Sequence, residues 1–266
     1  MAFRDLAFRA SERARGVVGA SKRSIRLTAF EVEPEEAAQR FNGSAGRIGE
    51  LFFAHHGREL HKWIHYLEVY ERHFHPYQNT PVKMLEIGVS KGGSLELWRE
   101  YFGPPATIFG IDITPECANR VTPPNQVRIG SQDDARFLQS VISEMGTPDI
   151  ILDDGSHIGR HQHASFRTLF PLLKEGGLYL IEDLCTSYAP GHMEGGYRRK
   201  GTGIELVKDM IDDMHAWYHH KGTTTPARDL ISGIHVYNSL VVIEKRNNGR
   251  PVAVYVQRDP PETPQS

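Results

Sequence analysis

The stretch that decides the fold is Leu85-Glu86-Ile87-Gly88-Val89-Ser90-Lys91-Gly92-Gly93-Ser94-Leu95. It opens with a short apolar run, which predicts a β-strand, and it closes on residues that begin a helical pattern. In open α/β sheets a ligand binds outside the carboxyl end of such a strand. Glycines let the backbone approach a ligand closely, and free N–H groups at a helix start favour an anion. The stretch therefore predicts a nucleotide-like ligand at this turn.

Further apolar runs and helical stretches alternate on the carboxyl side of this turn. The predicted strands are Lys83–Gly88, Thr107–Asp112, Val127–Gly130, Asp149–Asp153 and Gly177–Glu182. The predicted helices are Ser94–Phe102, Ala135–Met145, His161–Leu173 and Ile204–His219. Strands that alternate with helices form right-handed βαβ units around a parallel sheet. The pattern therefore predicts an α/β fold of the Rossmann-like kind, with helices on both faces of a mainly parallel sheet.

The flanking regions predict three parts of the chain: an N-terminal helical arm at 1–47, a main domain at 48–258 and a disordered tail at 259–266. Residues 1–30 carry seven Lys or Arg, and their apolar residues recur at helical spacing. An oligomerisation arm or a frayed terminus is the favoured interpretation, and peripheral membrane attachment is the alternative. Ile48 to Phe74 shows helical periodicity throughout. His235–Lys245 is predicted to be one long strand, with Val252–Val256 paired to it as a hairpin.

The composition excludes several broad classes of protein. A net charge of -2, with 39% apolar and 24% charged residues, is ordinary for a soluble enzyme and offers no general attraction to nucleic acid. The two cysteines, Cys117 and Cys185, have no metal-type spacing, which favours a reducing cytoplasm over a disulfide framework. No apolar run approaches the roughly 20 residues that a membrane span needs. We therefore expect a cytoplasmic protein without stable membrane insertion, and a homodimer or higher homo-oligomer.

The spacing of the glycines separates two kinds of cofactor. A dinucleotide site expects G-x-G-x-x-G, whereas this turn has Gly88-x-x-x-Gly92-Gly93 with Glu86 two residues earlier. The pattern resembles motif I of methyltransferases, which holds S-adenosylmethionine (SAM). Asp112 ends the second strand, where a carboxylate can accept both ribose hydroxyls. The segment Gly130-Ser131-Gln132-Asp133-Asp134 should lie beside the adenine, although Asp133 or Asp134 could instead cap the next helix.

Two acidic pairs follow successive predicted strands. Asp153-Asp154 comes after Ile150–Leu152, and Glu182-Asp183 comes after Leu178–Ile181. The carboxyl ends of neighbouring parallel strands share one sheet edge, so four carboxylates should converge and repel one another. Something positive must offset them, and oxygen ligands suit Mg²⁺, Mn²⁺ or Ca²⁺ better than zinc.

Histidines divide into one candidate for catalysis and others that favour a structural role. His157, three residues beyond Asp154, lies beside the predicted metal, and histidine is a residue type suited to act as a general base near neutral pH. His61 and His65 are four residues apart, but no glutamate stands between them as in metalloproteases, so a solvated or locally hydrogen-bonded helix face is favoured. His161 and His163 are interpreted as surface or second-layer residues.

Taken together, the motifs resemble the Mg²⁺-dependent sugar O-methyltransferases typified by macrocin and mycinamicin O-methyltransferases. Related bacterial proteins are described as rhamnosyl O-methyltransferase or cephalosporin hydroxylase-like. The resemblance runs from about His65 to Lys245, and its most specific motifs are DDGSH and GGLYLIED. It implies a class I SAM methyltransferase with a seven-stranded sheet. It also implies transfer of a methyl group from SAM to a sugar hydroxyl of a bacterial glycan, glycolipid or glycosylated natural product, such as a mannoside or rhamnoside.

The same resemblance implies a role for individual residues. Asp154, Glu182 and Asp183 would bind Mg²⁺ or Mn²⁺, and His157 together with Asp154 would be catalytic. The SAM-binding residues would be Glu86, Gly88, Ser90, Gly92, Gly93, Ser94, Asp112, Ser131, Gln132, Asp133 and Asp153. Ser131 departs from the family pattern, which has an acidic residue at that position.

The loop after the second acidic pair, from Thr186 to Gly203, is predicted to be a mobile lid over the acceptor. Its glycines allow movement, and Tyr188 and Tyr197 are suited to stacking on a sugar. Two other functions stay open at this stage: methylation of a catechol-like diol, and a SAM-binding protein without catalysis. An NAD-dependent oxidoreductase is disfavoured by the glycine spacing.

Overall fold

A seven-stranded sheet forms the centre of the chain in a computed structural model that describes residues 32–41, 45–226 and 228–256. The strands are β1 (Lys83–Ile87), β2 (Thr107–Asp112), β3 (Gln126–Ile129), β4 (Ile150–Asp153), β5 (Leu178–Ile181), β6 (Ile231–Val236) and β7 (Val241–Lys245). Their order is β3-β2-β1-β4-β5-β7-β6. Strands β1 to β5 are parallel, and β7 is antiparallel to both β5 and β6. The predicted fold class is confirmed.

Seven helices accompany the sheet in the described part of the chain. They are α1 (Pro34–Phe41), α2 (Gly46–Phe53), α3 (Ile64–Phe74), α4 (Gly93–Phe102), α5 (Ala135–Met145), α6 (Gly159–Leu169) and α7 (Gly203–Met214). Residues of α2, α3 and α4 contribute to one buried cluster, and residues of α5, α6 and α7 to the other. Successive side chains of a strand point to opposite faces, so the central strands contribute to both clusters. This explains why β1, β4 and β5 are nearly continuous apolar runs.

Local signals set the helix ends. The Asp134 carboxylate accepts hydrogen bonds from the N–H groups of Arg136 (2.9 Å) and Phe137 (3.1 Å), so it caps α5 as predicted. Gly103 and Gly146 follow α4 and α5 with φ of 79°, a conformation that suits glycine after a helix.

The strand register brings the candidate site residues to one edge. Ile87 of β1 pairs with both Ile111 of β2 and Asp153 of β4, and Asp153 pairs in turn with Ile181 of β5. The residues after these positions therefore leave the sheet side by side. Asp154 follows one strand, and Glu182 and Asp183 follow the next.

The helical periodicity from Ile48 to Phe74 spans two helices and not one. Residues 54–63 separate α2 from α3 without regular helix. This connection is bound to α4, since the Arg58 N–H donates to Glu96 Oε2 at 2.9 Å. The Arg58 carbonyl lies 2.8 Å from Nε2 of His55.

The prediction of one long C-terminal strand paired with Val252–Val256 was wrong. The stretch predicted as one strand from His235 to Lys245 turns at Asn238-Ser239, and its two arms belong to β6 and β7. Ser239 has φ of 65°, and the Tyr237 N–H donates to the Leu240 carbonyl at 2.8 Å. Asparagine and serine favour such turns because their side chains compete for backbone hydrogen bonds. Val252–Val256 forms no strand and is exposed.

The flanking predictions fall mostly outside the described residues. The basic segment 1–30 and the tail at 259–266 lie there, and α1 is the described helix of the predicted arm. Over the described ranges, none of the helices is both long enough and apolar enough to span a bilayer.

Candidate active site

The glycine turn packs against the protein's own backbone. Gly88 has φ of 95°, and a Cβ there would lie 2.1 Å from the Asp154 carbonyl oxygen. Gly92 has φ of 91°, and its Cβ would lie 2.6 Å from the Arg120 carbonyl oxygen. The prediction attributed these glycines to close approach of a ligand. The structure shows an additional reason, because a side chain at Gly88 would separate this turn from the loop that carries Asp154.

Asp112 closes the same turn from the end of β2. Its Oδ2 accepts the N–H groups of Val89 (3.0 Å) and Ser90 (2.9 Å), and its Oδ1 accepts that of Thr114 (2.8 Å). Burial alone would raise the pKa of Asp112, but the hydrogen bonds from Ser90 and Thr114 outweigh it, so the pKa lies below its ordinary value. The carboxylate is therefore held ionised at the end of β2, where a ribose was predicted.

Glu86 is fully buried behind the turn. Its Oε2 accepts the Ser94 hydroxyl at 2.8 Å, and its Oε1 lies 3.9 Å from Nζ of Lys62. Burial raises the pKa of Glu86 to about 7, although the positive charge of Lys62 opposes the shift. Hydrogen bonds from Ser94 and from the Trp98 indole also oppose the shift, since they favour the ionised form.

The predicted adenine segment connects to β4 through Gln132. Its Nε2 donates to Asp153 Oδ1 at 3.1 Å, and its Oε1 accepts the Ser156 N–H at 2.7 Å. Asp153 is fully buried and also accepts the Ser165 hydroxyl at 2.5 Å, and burial raises its pKa. The Ser131 hydroxyl donates to exposed Asp133 at 2.5 Å. Asp153 thus holds the loop in place, and contact of any of these residues with a cofactor stays a prediction.

Lys62 lies among the acidic residues that follow β4 and β5. Its ammonium group is 2.5 Å from Asp154 Oδ2 and 2.9 and 3.0 Å from the two oxygens of Glu182. The Lys62 side chain is 2% exposed. Burial alone would lower the pKa of Lys62, but the carboxylates of Asp154, Glu182 and Glu86 outweigh it and raise that pKa. Part of the positive charge that the acidic cluster was expected to need is therefore supplied by the chain itself.

Aromatic side chains near Lys62 donate to the same cluster. The Trp63 Nε1–H donates to Asp183 Oδ1 at 2.9 Å, and the Tyr66 hydroxyl lies 3.0 Å from that oxygen. The Tyr70 hydroxyl donates to Glu182. Burial raises the pKa of Glu182 well above its ordinary value, and the nearby charge of Asp154 adds to the shift. Each of the three carboxylates therefore has at least one partner from the segment that precedes β1.

His157 approaches Asp183 from the other side. Its Nε2 lies 3.6 Å from Asp183 Oδ2, and ligand atoms of Asp154, His157 and Asp183 all lie within 4.8 Å of one another. His157 and Asp183 both have left-handed backbones, with φ of 56° and 53°. The Thr186 hydroxyl lies 3.1 Å from the His157 carbonyl and 2.6 Å from the Asp183 carbonyl, and so links the two residues.

Similar proteins identify the family. No profile of a known protein family matches the chain. A tetracenomycin enzyme, 8-demethyl-8-(2-methoxy-alpha-L-rhamnosyl)-tetracenomycin-C 3'-O-methyltransferase of Streptomyces olivaceus, is 40% identical over 219 residues, which are 76% of this chain and 55% of that enzyme. Mycinamicin VI 2''-O-methyltransferase of Micromonospora griseorubida is 38% identical over 71% of this chain and 50% of that enzyme. A solved structure of the MycE methyltransferase with Mg, SAH and mycinamycin VI is 30% identical, with a TM-score of 0.68, and the match covers 94% of this chain and 70% of that chain. The chain belongs to the sugar O-methyltransferase family of these enzymes. It spans about half the length of the curated relatives that it matches.

The predicted resemblance to this sugar O-methyltransferase family is confirmed. The structure also brings three of the predicted site residues close together. Asp154, His157 and Asp183 converge. Of the four carboxylates that were expected to converge, Asp153 instead faces Gln132 and Ser165, because successive side chains of a strand point to opposite faces of the sheet. Glu182 directs both oxygens to Lys62, and one of them also to Tyr70, so direct contact with a metal stays a prediction for Glu182. His65 Nε2 lies 2.8 Å from the Asn238 carbonyl, and within the described ranges no metal-type group includes His61 or His65.

The residues that sequence reasoning missed are Lys62, Trp63, Tyr66 and Tyr70. Their partners lie 92 to 120 residues away, so no local motif joins them to the acidic pairs. One available signal was their spacing, because Tyr66 and Tyr70 are one helical turn apart and Lys62 precedes them by the same interval. These side chains carry polar groups at the ends of apolar or aromatic stems.

Tyr188 and Tyr197, the residues predicted to contact the acceptor, line one cavity of about 180 Å³. It is formed by the loop after Asp183 and by α7, and its lining residues include Tyr188, Tyr197, Arg198 and Lys208. Tyr188 and Tyr197 are 48% and 78% exposed, and the Arg198 guanidinium lies 5.4 Å from the centre of the Tyr197 ring. Both aromatic rings are therefore accessible to a ligand.

Proposed function

We propose that this chain is a SAM- and Mg²⁺-dependent O-methyltransferase that transfers a methyl group to a sugar hydroxyl of a glycosylated natural product, glycan or glycolipid. One observation carries the proposal: Asp154, His157 and Asp183 converge directly beside the glycine turn. The contact of Gly88 with the Asp154 carbonyl makes the predicted SAM turn and the predicted metal loop adjoining surfaces. A methyl donor and a metal-bound acceptor would need this proximity.

The residues at the glycine turn fit SAM. Asp112 is ionised and partly exposed at the end of β2, where it can accept hydroxyl groups of a ribose. Glu86 is buried beneath the same turn, where its Oε2 accepts the Ser94 hydroxyl at 2.8 Å and so joins β1 to the start of α4. SAM would supply an electrophilic methyl group at this edge of the sheet.

The residues at the acidic edge fit Mg²⁺ or Mn²⁺. Asp154 and Asp183 supply carboxylate oxygens, which are hard ligands of the kind that these cations prefer, and His157 lies at ligand distance from them. Mg²⁺ would supply Lewis acidity and a template for two neighbouring sugar hydroxyls. The MycE methyltransferase, a relative by sequence and structure, was solved in complex with Mg and SAH.

The proposed general base is His157. Its Nε2 faces the carboxylate of Asp183 at 3.6 Å, so the imidazolium formed after proton uptake would be stabilised by an adjacent negative charge. The proton would move from the acceptor hydroxyl to the imidazole as the oxygen–methyl bond forms and the sulfur–methyl bond breaks. The Thr186 hydroxyl holds the backbone of His157, whose φ is 56°, beside that of Asp183.

A sugar acceptor is supported by two further observations. Tyr188 and Tyr197 expose aromatic faces in the cavity beside α7, and such faces stack on sugar rings. The matched enzymes are described as acting on rhamnosyl-tetracenomycin, mycinamicin VI and olivosyl-oleandolide, all glycosylated small molecules or their precursors. The acceptor loop from Thr186 to Gly203 is proposed to close over the sugar, as a lid.

The decisive experiment uses methyl-labelled SAM with methyl α-L-rhamnoside, methyl α-D-mannoside and catechol, each with Mg²⁺ or with EDTA. We expect label on a sugar in the presence of Mg²⁺ and none with EDTA. Label on catechol alone would indicate that the acceptor is a catechol-like diol and not a sugar. Binding of SAM without transfer to any acceptor would contradict catalysis, and transfer that survives EDTA would contradict the role of the metal.

Further proposals concern the location of the protein, its oligomeric state and its partners. We propose a cytoplasmic homo-oligomer that does not bind nucleic acid, in keeping with its net charge of -2. Gel filtration with light scattering would give the subunit count, and a monomer would contradict the oligomer.

A further inference from the structure

The ligand carboxylates are held from one side by a single short segment. We call Lys62–Tyr70 the anchoring segment, because it supplies donors to three acidic residues. Lys62 contacts Asp154 Oδ2 and both oxygens of Glu182, Trp63 and Tyr66 contact Asp183 Oδ1, and Tyr70 contacts Glu182. No residue of this segment belongs to the SAM-binding or metal-binding residues proposed above.

The contacts leave one oxygen of each aspartate without a donor from the segment. On Asp183, Oδ1 is engaged and Oδ2 faces His157. On Asp154, Oδ2 is engaged by Lys62. A carboxylate with one oxygen fixed by a donor is restricted in rotation, so its second oxygen is directed before any cation arrives. Outer partners of this kind orient metal ligands in many proteins.

Lys62 also offsets the repulsion between the carboxylates of Asp154 and Glu182. Asp154 and Glu182 follow adjacent parallel strands, and their charges would repel one another in a poorly solvated site. The Lys62 ammonium lies within 3.0 Å of both carboxylates and its side chain is 2% exposed, so this is no solvent-screened surface pair. It keeps the two carboxylates at a separation that their own charges would otherwise increase.

We propose that the anchoring segment, through Lys62 and Trp63, positions the acidic residues for a divalent cation. The inference rests on the proposed function, since it assumes that the site holds Mg²⁺ or Mn²⁺. In this role Lys62 is a positioning residue: it acts through Asp154 and Glu182 and stays in place when the cation binds. Trp63 does the same through Asp183.

A competing role for Lys62 makes the opposite prediction. If the ammonium only occupied the cation's place or neutralised the cluster, its removal would strengthen cation binding, because a positive charge would leave the site. If Lys62 positions the ligands, its removal weakens binding in spite of that charge change. The sign of the effect therefore distinguishes the two roles.

The test measures binding of Mn²⁺ to the full chain by electron paramagnetic resonance of the free ion, with SAH present throughout. For Lys62→Met we expect affinity to fall by about 10- to 100-fold, the usual effect of losing an outer partner. The matched control is Lys245→Met. Lys245 is also buried, but its ammonium donates to the carbonyls of Pro171 and Leu173 and not to a carboxylate. Its replacement should leave Mn²⁺ affinity unchanged.

A second variant keeps the charge of the site constant. Trp63→Phe retains an aromatic ring and removes the N–H that reaches Asp183, and we expect a loss of about 3- to 10-fold in Mn²⁺ affinity. Circular dichroism checks that each variant folds, and Trp63→Phe decides the question if Lys62→Met does not. Equal or tighter binding by the folded variants would overturn the inference while leaving the proposed function intact. Failure of the unaltered chain to bind Mn²⁺ would instead contradict the proposed function itself, and the inference with it.

Discussion

The two sides of the site are held in contrasting ways. On the glycine-turn side, at the ends of β1 and β2, Asp112 accepts backbone N–H groups from residues 89, 90 and 114. On the acidic side, at the ends of β4 and β5, Glu182 and Asp183 accept side-chain donors from residues 112 to 120 positions earlier. One side is satisfied by neutral groups close in sequence, and the other by a distant segment that includes a buried charge.

The two sides differ in which residues determine their geometry. Backbone N–H groups at a strand end are present for almost any sequence, so the glycine-turn side needs the Asp112 carboxylate and residues that allow the turn. The acidic side needs particular side chains at α3, because a cluster of carboxylates without donors would be costly to bury. The acidic side therefore depends on docking of α3 onto the sheet, whereas the glycine-turn side depends on β1 and its neighbours.

The largest expected effect tests the chemistry assigned to the acidic side. His157→Ala should lower kcat by about 10²- to 10⁴-fold, because it removes the proposed base, while SAM affinity on the glycine-turn side stays unchanged. Initial rates with labelled SAM and equilibrium SAM binding measure the two effects separately. His75→Ala is the control, since that exposed side chain pairs with Glu71 on the surface. Loss of SAM binding in His157→Ala would show that the two sides are not separable.

The next effect tests the contact that joins the two sides. Gly88→Ala should lower the free energy of unfolding by about 3 kcal/mol or more, because it combines a left-handed backbone with a collision against the Asp154 carbonyl. Gly176→Ala is the matched control: φ is 79° there, and a Cβ would meet nothing within 4 Å. It should cost only about 1 kcal/mol. Urea denaturation measures both, and equal losses would show that the Gly88 contact is not close in solution.

A smaller effect concerns Glu86, the glycine-turn carboxylate that lies nearest to Lys62. Its pKa in the folded chain, about 7, exceeds the ordinary value of 4.5. Between these pH values the folded state keeps a proton that the unfolded state has released. The free energy of unfolding should therefore fall as pH rises through this window, by up to roughly 3 kcal/mol.

Glu86→Gln removes this titration. Measured without ligands, the variant should gain stability relative to the unaltered chain between pH 5 and pH 8. Urea denaturation at both pH values gives the difference. A difference that stays constant with pH would mean that burial does not hold the proton on Glu86.

The smallest effect lies outside both sides, in the acceptor loop. Tyr197→Ala should raise KM for the sugar by about 2- to 10-fold and leave kcat and the melting temperature unchanged, because it removes an exposed stacking surface. Tyr218→Ala, also exposed but outside the cavity, is the control. A change in kcat for Tyr197→Ala would indicate that this ring contributes to the reacting geometry.

Much of the sheet could be predicted from sequence because its signals are local. The runs from Lys83 to Ile87 and from Ile150 to Asp153 are apolar enough to indicate buried strands without any partner. The same locality explains the error at the C-terminus. The run from His235 to Lys245 has the pattern of one strand, and only the turn preference of Asn238-Ser239 indicates that it is two strands.

The candidate site was predictable only in part, for the same physical reason. Asp154, His157 and Asp183 follow strand ends, so the parallel topology brings them together. Lys62 does not follow a strand. Its position depends on how α3 packs against the sheet, and its partner Glu182 lies 120 residues later in the sequence. The four-residue spacing of Lys62, Tyr66 and Tyr70 indicates a shared face, but it does not indicate which part of the sheet that face contacts.

The left-handed backbones of His157 and Asp183 have a consequence for how such a site is retained. A non-glycine residue in this conformation costs about 1 kcal/mol relative to glycine, and domains of this kind are stable by only about 5 to 15 kcal/mol. Glycine at either position would relax the backbone, yet it would delete an imidazole or a carboxylate from the proposed site. Selection for robustness alone would therefore erode these two positions. Under the proposed function, the imidazole and the carboxylate are the reason to keep a side chain at these two positions.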